Sequence, residues 1–177
     1  MYQPKISAFF NNKKSKENKI IESSLQTLSV IRLSPNIKYT LFFDGCSKGN
    51  PGLAGAGAVI YKDDIEFWTS SIFVGKKETN NVAEYSGLIH GLKEAVRQNI
   101  KNIIVKGDSL LVIKQMKGEY QVKSANMVQL FTHAKKLTQQ FDTITFEHVY
   151  RNDNKRADEL SNEGLERAGA IRTVGSD

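Results

Sequence analysis

The sequence is poor in cysteine, proline and histidine, and each shortage narrows what the chain can be. Of its 177 residues one is Cys (Cys46), three are Pro and three are His. A single cysteine excludes a disulfide framework and a cysteine-based zinc site, and it fits a reducing, intracellular compartment. No apolar run approaches the roughly 18 residues of a membrane span, so no membrane partner is expected. The opening MYQPKISAFF lacks the basic-then-apolar layout of a secretory signal.

Charge is present but unevenly spread. The net charge is +6; residues 1–19 hold five lysines and one glutamate, leaving +2 for the other 158 residues. A basic balance suggests a polyanionic partner, yet most of it belongs to the N-terminal stretch. That stretch reads as a tether. Residues 11–36 open with the polar, lysine-rich NNKKSKENK, show no periodicity, and are expected as a flexible basic linker with room for a short helix. Residues 171–177 are expected as a disordered C-terminal tail, and 37–170 as the folded domain.

The domain is organised around Tyr39–Gly57, YTLFFDGCSKGNPGLAGAG. An apolar run ends in Asp44, a glycine-rich turn follows, and Ala58-Val59-Ile60-Tyr61 starts again. This pattern reads as strand, turn, strand, with strands over Tyr39–Cys46 and Ala56–Tyr61. Asp63-Asp64 marks a second turn and Glu66–Val74 a third strand, giving an antiparallel meander. Helical spacing of Tyr85, Leu88, Ile89, Leu92, Ala95 and Val96 predicts a helix over Thr79–Asn99. A short strand (Asn102–Lys106), helices over Leu110–Lys117 and Gln129–Phe141, a fifth strand (Thr143–Tyr150) and a last helix (Asn154–Ala168) complete the order β-β-β-α-β-α-α-β-α. The expectation is an α/β fold with a five-stranded mixed sheet, three strands antiparallel and two parallel, flanked by helices.

Four acids interrupt this pattern at element boundaries: Asp44, Glu84, Asp108 and Asp158. Each has an ordinary explanation. Asp44-Gly45 is a common turn pair, Glu84 has capping-box spacing from Asn81, and Asp108 stands where an N-cap would. Sites in such sheets collect at the carboxyl ends of strands, and if strands one and four are neighbours, Asp44 and Asp108 lie side by side. Clustered carboxylates are tolerable only with a cation. An all-oxygen set without Cys suits Mg²⁺ or Mn²⁺ rather than zinc. The hydrolytic use of such a set is phosphoryl transfer with two metal ions about 4 Å apart.

Four blocks carry a family resemblance: FFDGCSKGNPGLAGAGAV, TNNVAEYSGLIHGL, GDSLLVIKQM and HVYRNDNKRADELSN. In order and spacing, Tyr39 to Ala168 resembles a type 1 ribonuclease H. The resemblance implies a ribonuclease H-like fold and Mg²⁺-dependent endonucleolytic hydrolysis of the RNA strand of an RNA–DNA hybrid, leaving 5′-phosphate and 3′-hydroxyl ends. It implies two Mg²⁺ ions, with Mn²⁺ as a substitute, held by Asp44, Glu84, Asp108 and Asp158 as the catalytic carboxylates. Asn50, Asn80 and Asn81 match hybrid contacts, and Gly45, Thr79, Ser109 and Arg151 are further substrate-binding candidates. The 2′-hydroxyl lets such a site choose RNA. A monomer is expected.

The departures from the family pattern are informative. The basic protrusion of bacterial-type enzymes is replaced by the short, modestly charged QMKGEYQVKSANM. RNDNK stands where a mobile loop with a catalytic histidine would be, and His148 falls inside the fifth strand, where it packs or hydrogen-bonds. Leu110 replaces a common glutamine. The HVxR…NKxADxLxN pattern is similar to that of short-loop, archaeal-like members, some of which resemble double-stranded RNA nucleases. Cys46, with no histidine at a useful place, reads as a small packing residue.

At the start of the chain, Gln3-Pro4-Lys5-Ile6-Ser7-Ala8-Phe9-Phe10 resembles the sliding-clamp (PCNA) interaction motif. One helical turn would present Ile6, Phe9 and Phe10 to an apolar pocket while Gln3 supplies a directed hydrogen bond. The implied setting is a nucleus or another site of DNA replication, viral if the chain is viral, with clamp recruitment for primer or hybrid removal. Two alternatives stand beside the nuclease. One is a non-catalytic, clamp-bound adaptor that binds hybrid without cutting; the complete carboxylate set argues against it. The other is the nuclease part of a reverse transcriptase, against which the clamp-like start argues.

Overall fold

In the computed structural model, the structure describes residues 37–173. The expected clamp peptide, with Gln3, Ile6, Phe9 and Phe10, and the linker 11–36 lie outside the described residues.

The elements follow the expected order. Strands β1 (Tyr39–Gly49), β2 (Gly52–Lys62) and β3 (Ile65–Glu78) precede helix α1 (Asn80–Arg97). Then come β4 (Asn102–Gly107), α2 (Leu110–Lys117), α3 (Ala125–Thr138), β5 (Thr143–His148), a single 3₁₀ turn (Arg151–Asp153) and α4 (Lys155–Thr173). The sheet order is β3-β2-β1-β4-β5. β1 pairs antiparallel with β2 and parallel with β4, and β4 pairs parallel with β5. No described helix is long and apolar enough to cross a membrane.

Several boundaries differ from the sequence-based expectation. The first hairpin is longer on both sides, because the glycine-rich segment pairs as strand down to Gly49 and Gly52 and only Asn50-Pro51 turns. α3 starts earlier and ends earlier than Gln129–Phe141: Ser124 takes the N-cap position, Met127 is buried in the first turn, and Phe141 packs from beyond the helix end. α4 continues past Ala168 to Thr173, so the first three residues of the expected tail are helical; residues 174–177 lie outside the described residues. The α2–α3 link is short, closing α2 with Gly118 at φ 80°, a left-handed value that glycine adopts without a Cβ penalty.

The period-2 alternation of β1 and β2 sorts side chains onto two faces. Leu41, Phe43, Ala58 and Ile60 join Tyr85, Leu88, Leu92, Val105, Val112 and Ile113 in the main core, between the sheet and α1 to α3. Each large aliphatic or aromatic side chain buried there contributes about 1.5–3 kcal/mol. The other face is thin. Val59, Ala157 and Leu160 form a small second cluster under α4, and glycine makes the approach possible. A Cβ on Gly57 would lie 2.4 Å from the Ala157 carbonyl oxygen. Small residues in GLAGAG therefore bring α4, with its polar residues, down onto the sheet beside the end of β1.

Candidate active site

Phe43 of β1 pairs with Gly107 of β4. Asp44, the next residue of β1, and Asp108, the residue just after β4, therefore stand side by side where the β1–β4 pairing ends, while β1 itself runs on against β2 to Gly49. Glu84 comes from the other face. It sits in the second turn of α1, whose N-cap is Thr79, with the Thr79 hydroxyl accepting from the Val82 N–H at 3.3 Å. The capping-box alternative for Glu84 therefore falls away, and the N-cap of α2 is Ser109, not Asp108. α1 reaches the strand because residue 45 is glycine: a Cβ there would lie 2.1 Å from the Glu84 nitrogen.

One donor oxygen each from Asp44, Glu84 and Asp108 lies within 4.8 Å of the others. Asp44 and Glu84 are 5% exposed, and burying carboxylates beside one another is costly. The cost appears in their protonation. Burial, followed by the charges of Asp108 and Asp158, pushes the Asp44 carboxyl up to about 6, against the pull of the Ser161 hydroxyl and the Gly45 N–H. Burial, then Asp44 and Asp108, pushes Glu84 well above the usual carboxylate range. Glu84 Oε2 is buried with no hydrogen-bond partner among the described residues. An all-oxygen donor set, mutually repelling and with one oxygen unmatched, fits a hard divalent cation.

The fourth acid is set apart. Asp158, in the first turn of α4, lines the same cavity of about 240 Å³ as Asp44, Glu84, Asp108, Asn80 and Arg151. It lies outside the three-carboxylate cluster, and its Oδ1 accepts from Arg151 Nη2 at 2.6 Å. That pair is half open to solvent and contributes roughly 0–1 kcal/mol to stability. Arg151 therefore enters the site as the partner of an acid, and its charge also reaches Asp44 and Asp108 at longer range.

Of the other candidates, Gly45, Asn80 and Arg151 line the cavity. Asn50, at the hairpin tip, accepts from the Asn80 N–H at 3.1 Å, which ties the β1–β2 turn to the start of α1. Thr79 is occupied as a cap, Asn81 is exposed in the first turn of α1, and Ser109 makes no side-chain cap hydrogen bond. His148 ends β5, where its Nε2 lies 3.2 Å from the Asp108 carbonyl oxygen and its ring meets Tyr150 edge-on. Burial, then the charge of Asp44, pushes the Cys46 thiol up, countered in part by Ser161. That is the opposite of what a nucleophile needs.

Two residues escaped the reading of the sequence. Asn154, 1% exposed, donates through Nδ2 to the Phe43 carbonyl and to Asp108 Oδ1, both at 2.9 Å. Standing just before α4 begins, it links the middle of β1 to the residue that follows β4. Its Oδ1 is buried without a hydrogen-bond partner among the described residues. Ser161, fully buried, donates to Asp44 Oδ2 at 2.6 Å. Both fall inside the HVYRNDNKRADELSN block, Asn154 immediately before α4 and Ser161 on the side of α4 that carries the buried Ala157 and Leu160, but neither is marked there as a partner of an acid.

This geometry agrees with known proteins. A family profile described as reverse transcriptase-like matches residues 42–164. The bifunctional protein Rv2228c of Mycobacterium tuberculosis is 38% identical over 80% of this chain, and the chain spans 39% of that protein's length. Ribonuclease HI of Halobacterium salinarum is 37% identical over 72% of this chain, with 64% of its own length matched. Among solved structures, LC11-RNase H1, determined in complex with RNA/DNA hybrid, superposes with a TM-score of 0.70 at 34% identity, covering 74% of this chain and 99% of that one. The profile match covers more than half of the sequence, and the carboxylates stand where the pairing of β1 with β4 ends: the chain belongs to the ribonuclease H-like family.

Proposed function

We propose that the protein is an endonuclease that hydrolyses the RNA strand of RNA–DNA hybrids, with Mg²⁺ or Mn²⁺ held by the carboxylate cluster. The observation that carries this reading is the convergence of Asp44, Glu84 and Asp108 within 4.8 Å at the point where the parallel pairing of β1 and β4 ends. The RNA/DNA hybrid in complex with LC11-RNase H1 supports the choice of substrate. Divalent cations bound at the cluster would supply an activated water and positive charge at the leaving oxygen. Asp44, Glu84 and Asp108 would hold them, and Asp158 would complete the set once its pair with Arg151 opens. Asn154 keeps Asp108 beside Phe43 and Asp44 of β1. Asn80, with Asn50 behind it, stands at the cavity wall where a phosphodiester backbone would pass, and Arg151 offers it a planar, charged donor.

Residues 3–10 are proposed to recruit the monomeric enzyme to a sliding clamp at sites of DNA replication. The tether then raises the local concentration of the nuclease where hybrids arise. Deleting residues 1–12 is expected to abolish clamp binding and to leave cleavage of free oligonucleotide hybrids nearly unchanged. A large loss on short free hybrids would contradict that division of labour.

The deciding experiment is cleavage of a labelled RNA–DNA hybrid with Mg²⁺ by wild type and Asp108→Asn in parallel, with double-stranded RNA as a second substrate. Cutting of the hybrid that disappears in the variant supports the metal nuclease, and the second substrate sets its range. Binding without cutting, in Mg²⁺ and in Mn²⁺, would make the protein a hybrid-binding adaptor.

A further inference from the structure

We infer that Ser161 is a positioning residue: its hydroxyl fixes the orientation of Asp44 and thereby sets the affinity of the site for its divalent cation. The inference rests on the metal-dependent reading above.

The first observation is the contact itself. Ser161 is fully buried, and its Oγ lies 2.6 Å from Asp44 Oδ2 and 2.9 Å from the Asp158 carbonyl oxygen. A serine hydroxyl carries one proton, and the shorter contact is to the carboxylate. Hydrogen bonds to an ionised acceptor are shorter and about twice as strong as neutral ones. With Oδ2 held, the Asp44 carboxylate cannot turn freely, and Oδ1 remains for a cation.

The second observation is what brings Ser161 there. A Cβ on Gly55 would lie 2.3 Å from the Ser161 carbonyl oxygen, and one on Gly57 would lie 2.5 Å from the Ser161 nitrogen. Two glycines on the same face of β2 thus let this turn of α4 seat against the sheet. Closer seating at those two positions brings a donor within reach of a carboxylate 117 residues away in sequence.

The third observation is the choice of donor. Among the described residues no ion pair joins Asp44. A neutral hydroxyl orients the carboxylate without cancelling its charge, so the negative potential is kept for the cation. Hydrogen-bond partners behind metal ligands typically change metal affinity by 10–100-fold when removed.

The test is Mn²⁺ titration of the full chain without substrate, following the free Mn²⁺ signal by electron paramagnetic resonance, for wild type, Ser161→Ala and Ser161→Thr, with thermal melting of each. Ser161→Ala is expected to weaken Mn²⁺ binding by about tenfold, and Ser161→Thr, which keeps the hydroxyl, to restore most of it. The Mg²⁺ concentration for half-maximal hybrid cleavage should shift by a similar factor. If Ser161→Ala does not fold, Ser161→Cys, close in volume and a weak donor, replaces it with the same expectation. Wild-type Mn²⁺ affinity in the hydroxyl-less variant overturns the inference, as does a Ser161→Thr protein that melts like wild type yet binds as weakly as Ser161→Ala. A wild type that binds no Mn²⁺ and cuts no hybrid overturns the metal-site reading together with this inference. A wild type that does both, beside an unaffected Ser161→Ala, overturns this inference alone.

Discussion

Asp44 and Asp158 meet the same difficulty, a carboxylate among like charges, and the fold treats them in opposite ways. Asp44 is buried within β1 and held by neutral donors, the Ser161 hydroxyl and the Gly45 N–H. Asp158 stands on a helix, half-buried, and is held by a guanidinium. Neutral donors orient a carboxylate and leave its charge available, whereas an ion pair orients it by neutralising it. The buried cluster therefore keeps an unmet demand for positive charge, visible in the raised Asp44 and Glu84, whereas Arg151 supplies that charge directly at the half-buried Asp158.

The sharpest way to break this comparison is to remove charge from the buried set. Asp108→Asn or Glu84→Gln should lower hybrid cleavage by about 10³-fold, on the order of 4 kcal/mol of transition-state stabilisation. Glu84→Gln should at the same time raise the melting temperature of the metal-free protein, because it removes a buried, repelled charge. Cleavage assays and melting in EDTA check both signs; a variant that loses activity and stability together would mean that these acids are structural.

Next comes the surface that seats α4. Gly57→Val puts side-chain atoms where the Ala157 carbonyl and the Ser161 nitrogen stand. It should cost about 3 kcal/mol in denaturant unfolding and should also lower cleavage in the folded fraction, since Ser161 and Asp158 ride on the displaced helix.

Protonation gives a third test. The folded Asp44 holds a proton up to about 6, where its ordinary value is 3.8. Between those values the unfolded chain binds fewer protons than the folded one, so this group's contribution to stability is lost as pH rises from about 4 through about 6. The loss is at most about 3 kcal/mol, and Glu84 acts in the same direction. Melting in EDTA across this range should fall more steeply for wild type than for Asp44→Asn, and saturating Mg²⁺ should remove the difference above pH 6. Equal slopes would refute the burial argument for Asp44.

A smaller effect is expected at Asn154. Asn154→Ala removes both hydrogen bonds that join Phe43 of β1 to Asp108, a cost of about 1–3 kcal/mol. Smallest is Arg151→Ala. Losing an exposed pair should change stability by less than about 1 kcal/mol, while KM for the hybrid rises and becomes less sensitive to salt.

Much of the fold was legible because its signals are local. Alternation marked β1 to β3, helical spacing from Tyr85 to Val96 marked α1, and Gly107-Asp108-Ser109 marked the passage from β4 to α2. Boundaries failed where tertiary pairing extended an element, as where Gly52–Gly55 pairs as strand. The acids were legible as interruptions of apolar patterns. Ser161 and Asn154 were not, since a serine or asparagine on a helix has no local signature for the carboxylate it will meet.

The sequence by itself determined the order of elements, the placing of Asp44 and Asp108 one step beyond apolar runs, and the four blocks that mark the family. These depend on neighbours within a turn or a strand. Only the tertiary structure decided that β1 lies beside β4, so that Asp44 and Asp108 meet. It alone decided that α4 settles onto glycines, that Ser161 and Asn154 hold two of the acids, and that Asp158 is drawn to Arg151. Those contacts join residues as far as 117 positions apart, and their partners are chosen by how helices dock on the sheet, which no local pattern encodes.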